Sequence, residues 1–271
     1  MNNLKRIYRL LTELSSRKWI SRLAGTFAKS GMSRVLIARF AKLYGIRTEE
    51  AEKALHEYKT LNEFFTRRLK DGLRPIDESP DALVSPVDGL ITGMGRVENG
   101  MMMNVKGQDY SLDELLNRSP RVVSYRNGFY FVLYLSPTDY HRIHSPVAGK
   151  ILEKERVSGK VYPVNDFGLR YMTKTLSRNE RQITYIRSSC GEIAVVKVGA
   201  MNVSGIRYAE PLPDTIEKGQ ELACFEFGST VVLLTEKGIF EPLPGLEPGK
   251  KVKMGEALGT LRKKQPDQPE L

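Results

Sequence analysis

A chain of 271 residues, 41% hydrophobic and 27% charged, is long enough to bury one sizeable core and is neither disordered nor collagen-like in composition. Its two cysteines, Cys190 and Cys224, are far apart and make no CxxC pair, which excludes a disulfide framework and a thiolate zinc site and fits a reducing compartment. The net charge of +10 is concentrated at one end: residues 1–47 carry eleven Lys and Arg against Glu13 alone, and the other 31 basic residues face 31 acidic ones.

The basic segment has helical periodicity. Leu4, Ile7, Leu10, Leu11 and Leu14 share a face, with Lys5, Arg6 and Arg9 around the other. Trp19, Ile20, Leu23 and Phe27 repeat the pattern up to a break at Ser30-Gly31, and Val35, Leu36, Phe40 and Leu43 repeat it again up to Gly45. Two readings stand: a helical cap on the chain's own core, or helices lying in the headgroup layer with their cations on acidic lipid. Nucleic acid is a poorer partner, because the aromatics lie on the apolar face rather than among the basic residues. No signal-length apolar core is present, and the longest clean apolar runs, Phe129 to Leu135 and Val231 to Leu234, have the size of buried strands. The expectation is a protein that lies on a membrane without spanning it.

Residues 48–69 predict one or two further helices, followed by turns at Gly72 and at Arg74-Pro75-Ile76-Asp77. From Leu83 onward the texture changes to short β-branched and apolar runs separated by Gly, Pro, Asn and Asp. The predicted strands are Leu90–Thr92, Phe129–Leu135, Gly149–Leu152, Ile183–Ile186, Ile193–Val198, Leu222–Phe227 and Val231–Leu234. Ser111 with Glu114 reads as a capping box opening a helix to Leu116. Lys106-Gly107 and Lys218-Gly219 read as tight turns, and 263–271 as a polar tail. The fold class expected is α+β: a mainly antiparallel β barrel or sandwich core over 48–271, with a basic amphipathic helical region at 1–47.

Several catalytic signatures are missing, among them Gly-x-Ser-x-Gly, a phosphate-binding loop and His-Glu-x-x-His. His56 sits among charged residues. His141 and His144 follow a predicted strand, in Tyr140-His141-Arg142-Ile143-His144-Ser145-Pro146, where a metal would lack a third ligand but a general base is reasonable. No metal is expected. Phe227-Gly228-Ser229-Thr230 lies between two strands. Glycine permits strained backbone angles, and a neighbouring hydroxyl with a base and an orienting carboxylate can attack its carbonyl. The carboxylate candidate is Asp88, in the turn Ser85-Pro86-Val87-Asp88-Gly89; an ordinary Asp-Gly turn former is the alternative.

Together these segments resemble, in order and spacing, the motifs of phosphatidylserine decarboxylases: Val84 to Gly89, Tyr140 to Pro146 and Phe225 to Val231. Phe64 to Leu69, Arg74 to Asp77, Asn179-Glu180-Arg181 and Val198 to Val203 match as well, so the resemblance covers nearly the whole chain. Ser204-Gly205 departs from it, since the family more often has Gly-Ser there.

The resemblance implies a proenzyme that cuts itself between Gly228 and Ser229, into a β chain 1–228 and an α chain 229–271. Asp88 would orient His144, His144 would take the proton from Ser229, and Ser229 would become a covalent pyruvoyl group, the only cofactor. That ketone would form a Schiff base with the serine amine of the lipid and act as electron sink when CO2 leaves. His141 is the candidate for positioning the carboxylate or handling a proton in this second reaction. The implied partners are anionic phospholipid, including the phosphatidylserine substrate, and the α/β pair itself, further dimerised, on the cytoplasmic face of the cell membrane. A serine hydrolase, a lipoyl-like carrier and a pyruvoyl decarboxylase for another substrate are the alternatives.

Overall fold

The computed structural model describes residues 18–105, 107–162, 172–199, 205–226 and 229–264. Its helices are α1 (Lys18–Lys29), α2 (Ile37–Tyr44), α3 (Leu61–Phe65), α4 (Leu112–Leu115), α5 (Val122–Tyr125) and α6 (Thr175–Arg178). The strands run β1 (Ala82–Val84), β2 (Gly89–Arg96), β3 (Met101–Val105), β4 (Gln108–Ser111), β5 (Phe129–Leu135), β6 (Arg142–His144), β7 (Gly149–Val157) and β8 (Arg181–Arg187). They continue as β9 (Glu192–Gly199), β10 (Ile206–Tyr208), β11 (Thr215–Ile216), β12 (Glu221–Phe225), β13 (Ser229–Thr235), β14 (Phe240–Pro242), β15 (Lys251–Val252) and β16 (Ala257–Leu261).

Eight strands form one antiparallel sheet, in the order β11-β7-β8-β9-β13-β5-β2-β15. Its central strands are apolar on both faces, which is why Ile193–Val198 and Val231–Leu234 read as unbroken hydrophobic runs. Val231 and Leu233 enter one layer with Val195, Phe131 and Leu133, and Val232 and Leu234 enter the other with Val196, Val198 and Val132. Each fully buried side chain of this kind contributes about 1.5–3 kcal/mol, so these strands dominate the stability of the core.

The first layer is covered by two three-stranded sheets, β10-β12-β6 and β1-β16-β14, through Ile143, Ala223, Phe225, Leu83 and Leu258. The second is covered by the β3–β4 hairpin and by α4, α5 and α6. The architecture is the sandwich alternative of the expected α+β class. The barrel alternative is not built: the large sheet stays open, ending in the two-residue edge strands β11 and β15.

Residues 48–69 contain less helix than the periodicity predicts. Only α3 is α-helical, beside two 3-10 turns, because Glu52 N–H on Arg68 O (2.9 Å) and Lys70 N–H on Glu50 O (2.9 Å) fold the segment back on itself. The helix at Leu112–Leu115 is present without the Ser111 side-chain cap, and Glu114 turns instead to Lys174 Nζ, 2.6 Å away.

At the N-terminal end, α1, a 3-10 turn (Gly31–Leu36) and α2 form a cap, closed by Gly45 in the left-handed conformation at φ 64°. Ile37, Ala41 and Ile46 pack with Ala51, Tyr58, Leu61 and Phe64, so the helical cluster runs on past residue 47. Leu23, Phe27, Met32, Val35 and Leu43 face solvent, Val35 at 81% and Leu43 at 75% exposure. The expected helix over Leu4–Leu14 lies outside the described residues.

Candidate active site

The site lies where the large sheet, the β10-β12-β6 sheet and the cap meet. The backbone of Ser229 opens β13 between two partners, Gly199 on β9 and Leu135 on β5. Leu135 is the last residue of β5, and the loop that follows it carries His141 and leads into β6, which ends in His144. On the other side, Phe225 ends β12, and its N–H donates to the His141 carbonyl at 3.0 Å. The chain therefore passes from the small sheet to the large one between Phe225 and Ser229. Gly228 lies outside the described residues, as do residues 200–204 with the Ser204 departure.

His144, on β6, donates its own N–H to Pro86 O (2.8 Å), which ties it to the turn that holds Asp88. Its Nδ1 is 2.7 Å from Gly219 O. A carbonyl can only accept, so Nδ1 carries the hydrogen and Nε2 keeps its lone pair. Tyr140 Oη lies 3.1 Å from Nε2 and donates to it; burial pushes this phenol up to about 12, so it keeps its proton. Burial also pushes the His144 imidazole below its ordinary value, opposed by the Gly219 carbonyl and more weakly by the charges of Glu221 and Asp88. The ring is a neutral base with its lone pair at Nε2. Gly219 serves this arrangement at φ +78°, where a Cβ would meet Ile76 Cδ1 at 2.0 Å.

Asp88 is buried, and its carboxylate is held by Arg74 through Nε–Oδ1 (2.8 Å), Nε–Oδ2 (3.0 Å) and Nη2–Oδ2 (2.5 Å). Met254 N–H adds a bond to Oδ1 at 2.9 Å. The orienting partner of His144 is thus the Gly219 carbonyl, and Asp88 acts on the ring through its charge and through the shared turn. Glu50 braces Arg74 from behind, at 3.2 Å.

His141 is fully buried. Its Nδ1 donates to Asp139 O (2.8 Å), and among the described residues its Nε2 has no hydrogen-bond partner. The ring packs on Phe65 of α3, centroids 4.0 Å apart. Burial lowers its pKa to about 3, so it is neutral and able to accept a hydrogen bond at Nε2. Nearby, Arg67 is 4% exposed and bonds Thr138 O through Nη2 (3.0 Å), while its Nε and Nη1 have no hydrogen-bond partner among the described residues.

Asp88, His144, His141 and the backbone of Ser229 are all drawn from segments that meet at this junction. Tyr140, Gly219 and Arg74 were quoted in sequence motifs without a role. Tyr140 is four residues from His144, but nothing in its spacing distinguishes an imidazole partner from a core tyrosine.

A family model described as phosphatidylserine decarboxylase matches residues 61–260. The chain is 44% identical to the phosphatidylserine decarboxylase proenzyme of Anoxybacillus flavithermus over 97% of its own length and 99% of that protein. It is 45% identical to the protein of the same name from Geobacillus kaustophilus (94% and 96% covered) and 42% identical to that of Bacillus thuringiensis (94% and 97% covered).

Proposed function

The chain belongs to the phosphatidylserine decarboxylase family, and on that premise we propose that it is made as a proenzyme that cuts itself between Gly228 and Ser229. Its activity is the removal of CO2 from phosphatidylserine, which leaves phosphatidylethanolamine.

The observation that carries the self-cleavage reading is the fixed tautomer of His144, a neutral base on β6, one loop beyond the partner strand of Ser229. His144 Nε2 takes the proton as the Ser229 hydroxyl attacks the Gly228 carbonyl. The new C–O bond forms, the amide C–N bond breaks, and an ester remains. Elimination then releases Gly228 as a carboxylate, and hydrolysis releases ammonia and leaves a ketone on the new N-terminus of the chain 229–271. Asp88 favours the imidazolium that forms in the first step, since an opposite charge stabilises it.

A pyruvoyl group supplies a ketone for the substrate amine and an electron sink for the departing CO2. The donor set suits such a group: among the described residues the Nε2 of His141 is an unpaired imidazole nitrogen beside the junction, while its Nδ1 is fixed by the Asp139 carbonyl. His141 serves there as a proton acceptor, because its neutral Nε2 lone pair would repel a carboxylate.

Attachment to the membrane is peripheral in this reading. Among the described residues no helix is long and apolar enough to cross a bilayer. The exposed Leu23, Phe27, Met32, Val35 and Leu43, in a segment rich in Lys and Arg, suit an interfacial surface on the cytoplasmic leaflet. Vesicle sedimentation should show binding that needs anionic lipid and falls with salt. Equal binding to neutral vesicles would remove the electrostatic part.

Intact mass of the purified protein tests the core of the proposal. Two chains of 228 and 43 residues are expected from the 271, the smaller carrying the ketone. Ser229→Ala should remain whole; a cut at Gly228 in that variant would refute the chemistry.

A further inference from the structure

A cavity of about 500 Å³ opens at the junction of cap and sheets, and its walls carry Lys29, Lys53, Arg67, Arg68, Arg142 and Arg207. Against these six cations stand two carboxylates, Glu52 and Glu63, and Glu63 is already paired with Lys53 at 3.0 Å. Arg68 and Arg142 share one further carboxylate, Glu221, and Lys29 is met by Glu226 at 2.7 Å. Among the described residues Arg207 hydrogen-bonds only a thiol, Cys224 Sγ at 4.0 Å.

Arg67 stands apart from the rest. It is nine-tenths buried, has no carboxylate among its hydrogen-bond or ion-pair partners in the described residues, and leaves Nε and Nη1 unpaired. Its guanidinium lies over the Phe64 ring, 5.3 Å from the centroid, which holds it in place without satisfying its donors. An unmet buried donor is costly, the more so on a charged group, so an anion arriving here is strongly stabilised.

The cavity is also next to the chemistry. Arg142 follows His141 in sequence and pairs in register with Cys224 on β12; Arg207, on β10, pairs with the same Cys224. The three residues form one rung, five residues short of Ser229.

Building on the decarboxylase reading, we propose that this cavity is the phosphodiester subsite of the lipid. Arg67 at its base, with Arg142 and Arg207 on the rung, grips the headgroup phosphate while the serine moiety reaches toward His141 and Ser229. The contacts are made equally in ground and transition states, so they set affinity rather than chemical rate.

The test uses the matured enzyme with dispersed short-chain phosphatidylserine. Arg67→Gln should self-cleave normally by mass, and its KM should rise at least tenfold while kcat changes less than threefold. Glycerophosphoserine should inhibit the wild type competitively and the variant at least tenfold more weakly. Arg207→Gln, altered on the short strand β10, is the second variant should Arg67→Gln fold poorly, and a similar but smaller KM shift is expected of it. An unchanged KM and unchanged inhibition in a folded variant would overturn the subsite. So would inorganic phosphate binding as tightly as glycerophosphoserine with no effect on substrate KM, which would make the cavity a free-phosphate site. Failure of the decarboxylase reading looks different: wild type would then release no CO2 from phosphatidylserine at all, whatever stands at 67.

Discussion

Two arginines buried to the same depth, in two regions of the molecule, do opposite things. On the large sheet, Arg181 of β8 is 3% exposed and spends every nitrogen: Nε on Leu115 O (2.6 Å), Nη1 on Ser177 O (2.7 Å) and Asn179 O (3.1 Å), and Nη2 on Glu114 O (2.7 Å). At the junction with the cap, Arg67 is 4% exposed and spends one. Burial alone therefore does not mark a functional cation. The first arginine staples α4 and the turn at α6 to the sheet, and the second waits for a partner that the described residues do not supply.

The contrast can be broken or sharpened by substitution. The largest effect expected is at the junction: His144→Ala should slow self-cleavage by at least about a hundredfold, the usual contribution of a general base. His141→Ala should cut normally and lose decarboxylation instead. Time courses of the 43-residue fragment and of CO2 release separate the two, and an uncut His141→Ala beside a maturing His144→Ala would reverse the roles.

Arg181→Leu, on the other side, should cost at least about 3 kcal/mol of stability, because four carbonyls lose their donor inside the core. Denaturant melts of the uncut Ser229→Ala background would measure it, and a loss no greater than that of Arg67→Gln would dissolve the contrast between the two regions.

Asp88→Asn should cost roughly 3 kcal/mol, the low end for breaking a buried ion pair, because Glu50 still reaches Arg74. It should slow cutting less than His144→Ala does, since the Gly219 carbonyl keeps the tautomer. Equal loss in both variants would mean that Asp88 bonds the ring directly during the reaction.

The smallest effect concerns Lys197, fully buried on β9 and bonded to Thr184 Oγ1 (2.5 Å) and Val195 O (3.4 Å). Burial lowers its pKa from 10.5 to about 7. Between those values the unfolded chain holds the extra proton, so stability rises with pH across that window, by at most about 1.4 kcal/mol per unit, and is flat in this respect below about pH 7. Lys197→Met should flatten the rise of melting temperature between pH 7 and 10; an unchanged slope would mean the amine stays charged in the fold.

The doubly buried strands were the most legible part of this chain, because the apolar runs Phe129–Leu135, Ile193–Val198 and Val231–Leu234 have one cheap way to satisfy their backbone. The cap was less so. Between residues 48 and 69, helical spacing competes with long-range bonds such as Lys70 N–H to Glu50 O, and no local pattern reports those. Asp88 and His144 were legible as residue types in a turn and at a strand end. Their partners were not: Arg74 is 14 residues from Asp88, and Gly219 is 75 from His144. Arg67 belonged to a motif, but its unpaired nitrogens are a property of packing.

Strand β13 sits at the middle of the large sheet, laddered to β9 and β5 along all seven of its residues. A cut just before Ser229 would leave that ladder whole and create no free sheet edge, so the two pieces stay together without any covalent link. Their reunion after unfolding is another matter. In the uncut chain, bringing β13 to its place costs the entropy of closing a loop; in the cut protein it costs the entropy of a bimolecular encounter, which depends on concentration. The mature protein would then be durable through slow unfolding rather than through easy refolding, and each molecule would have a single unimolecular chance to fold, before it cuts itself.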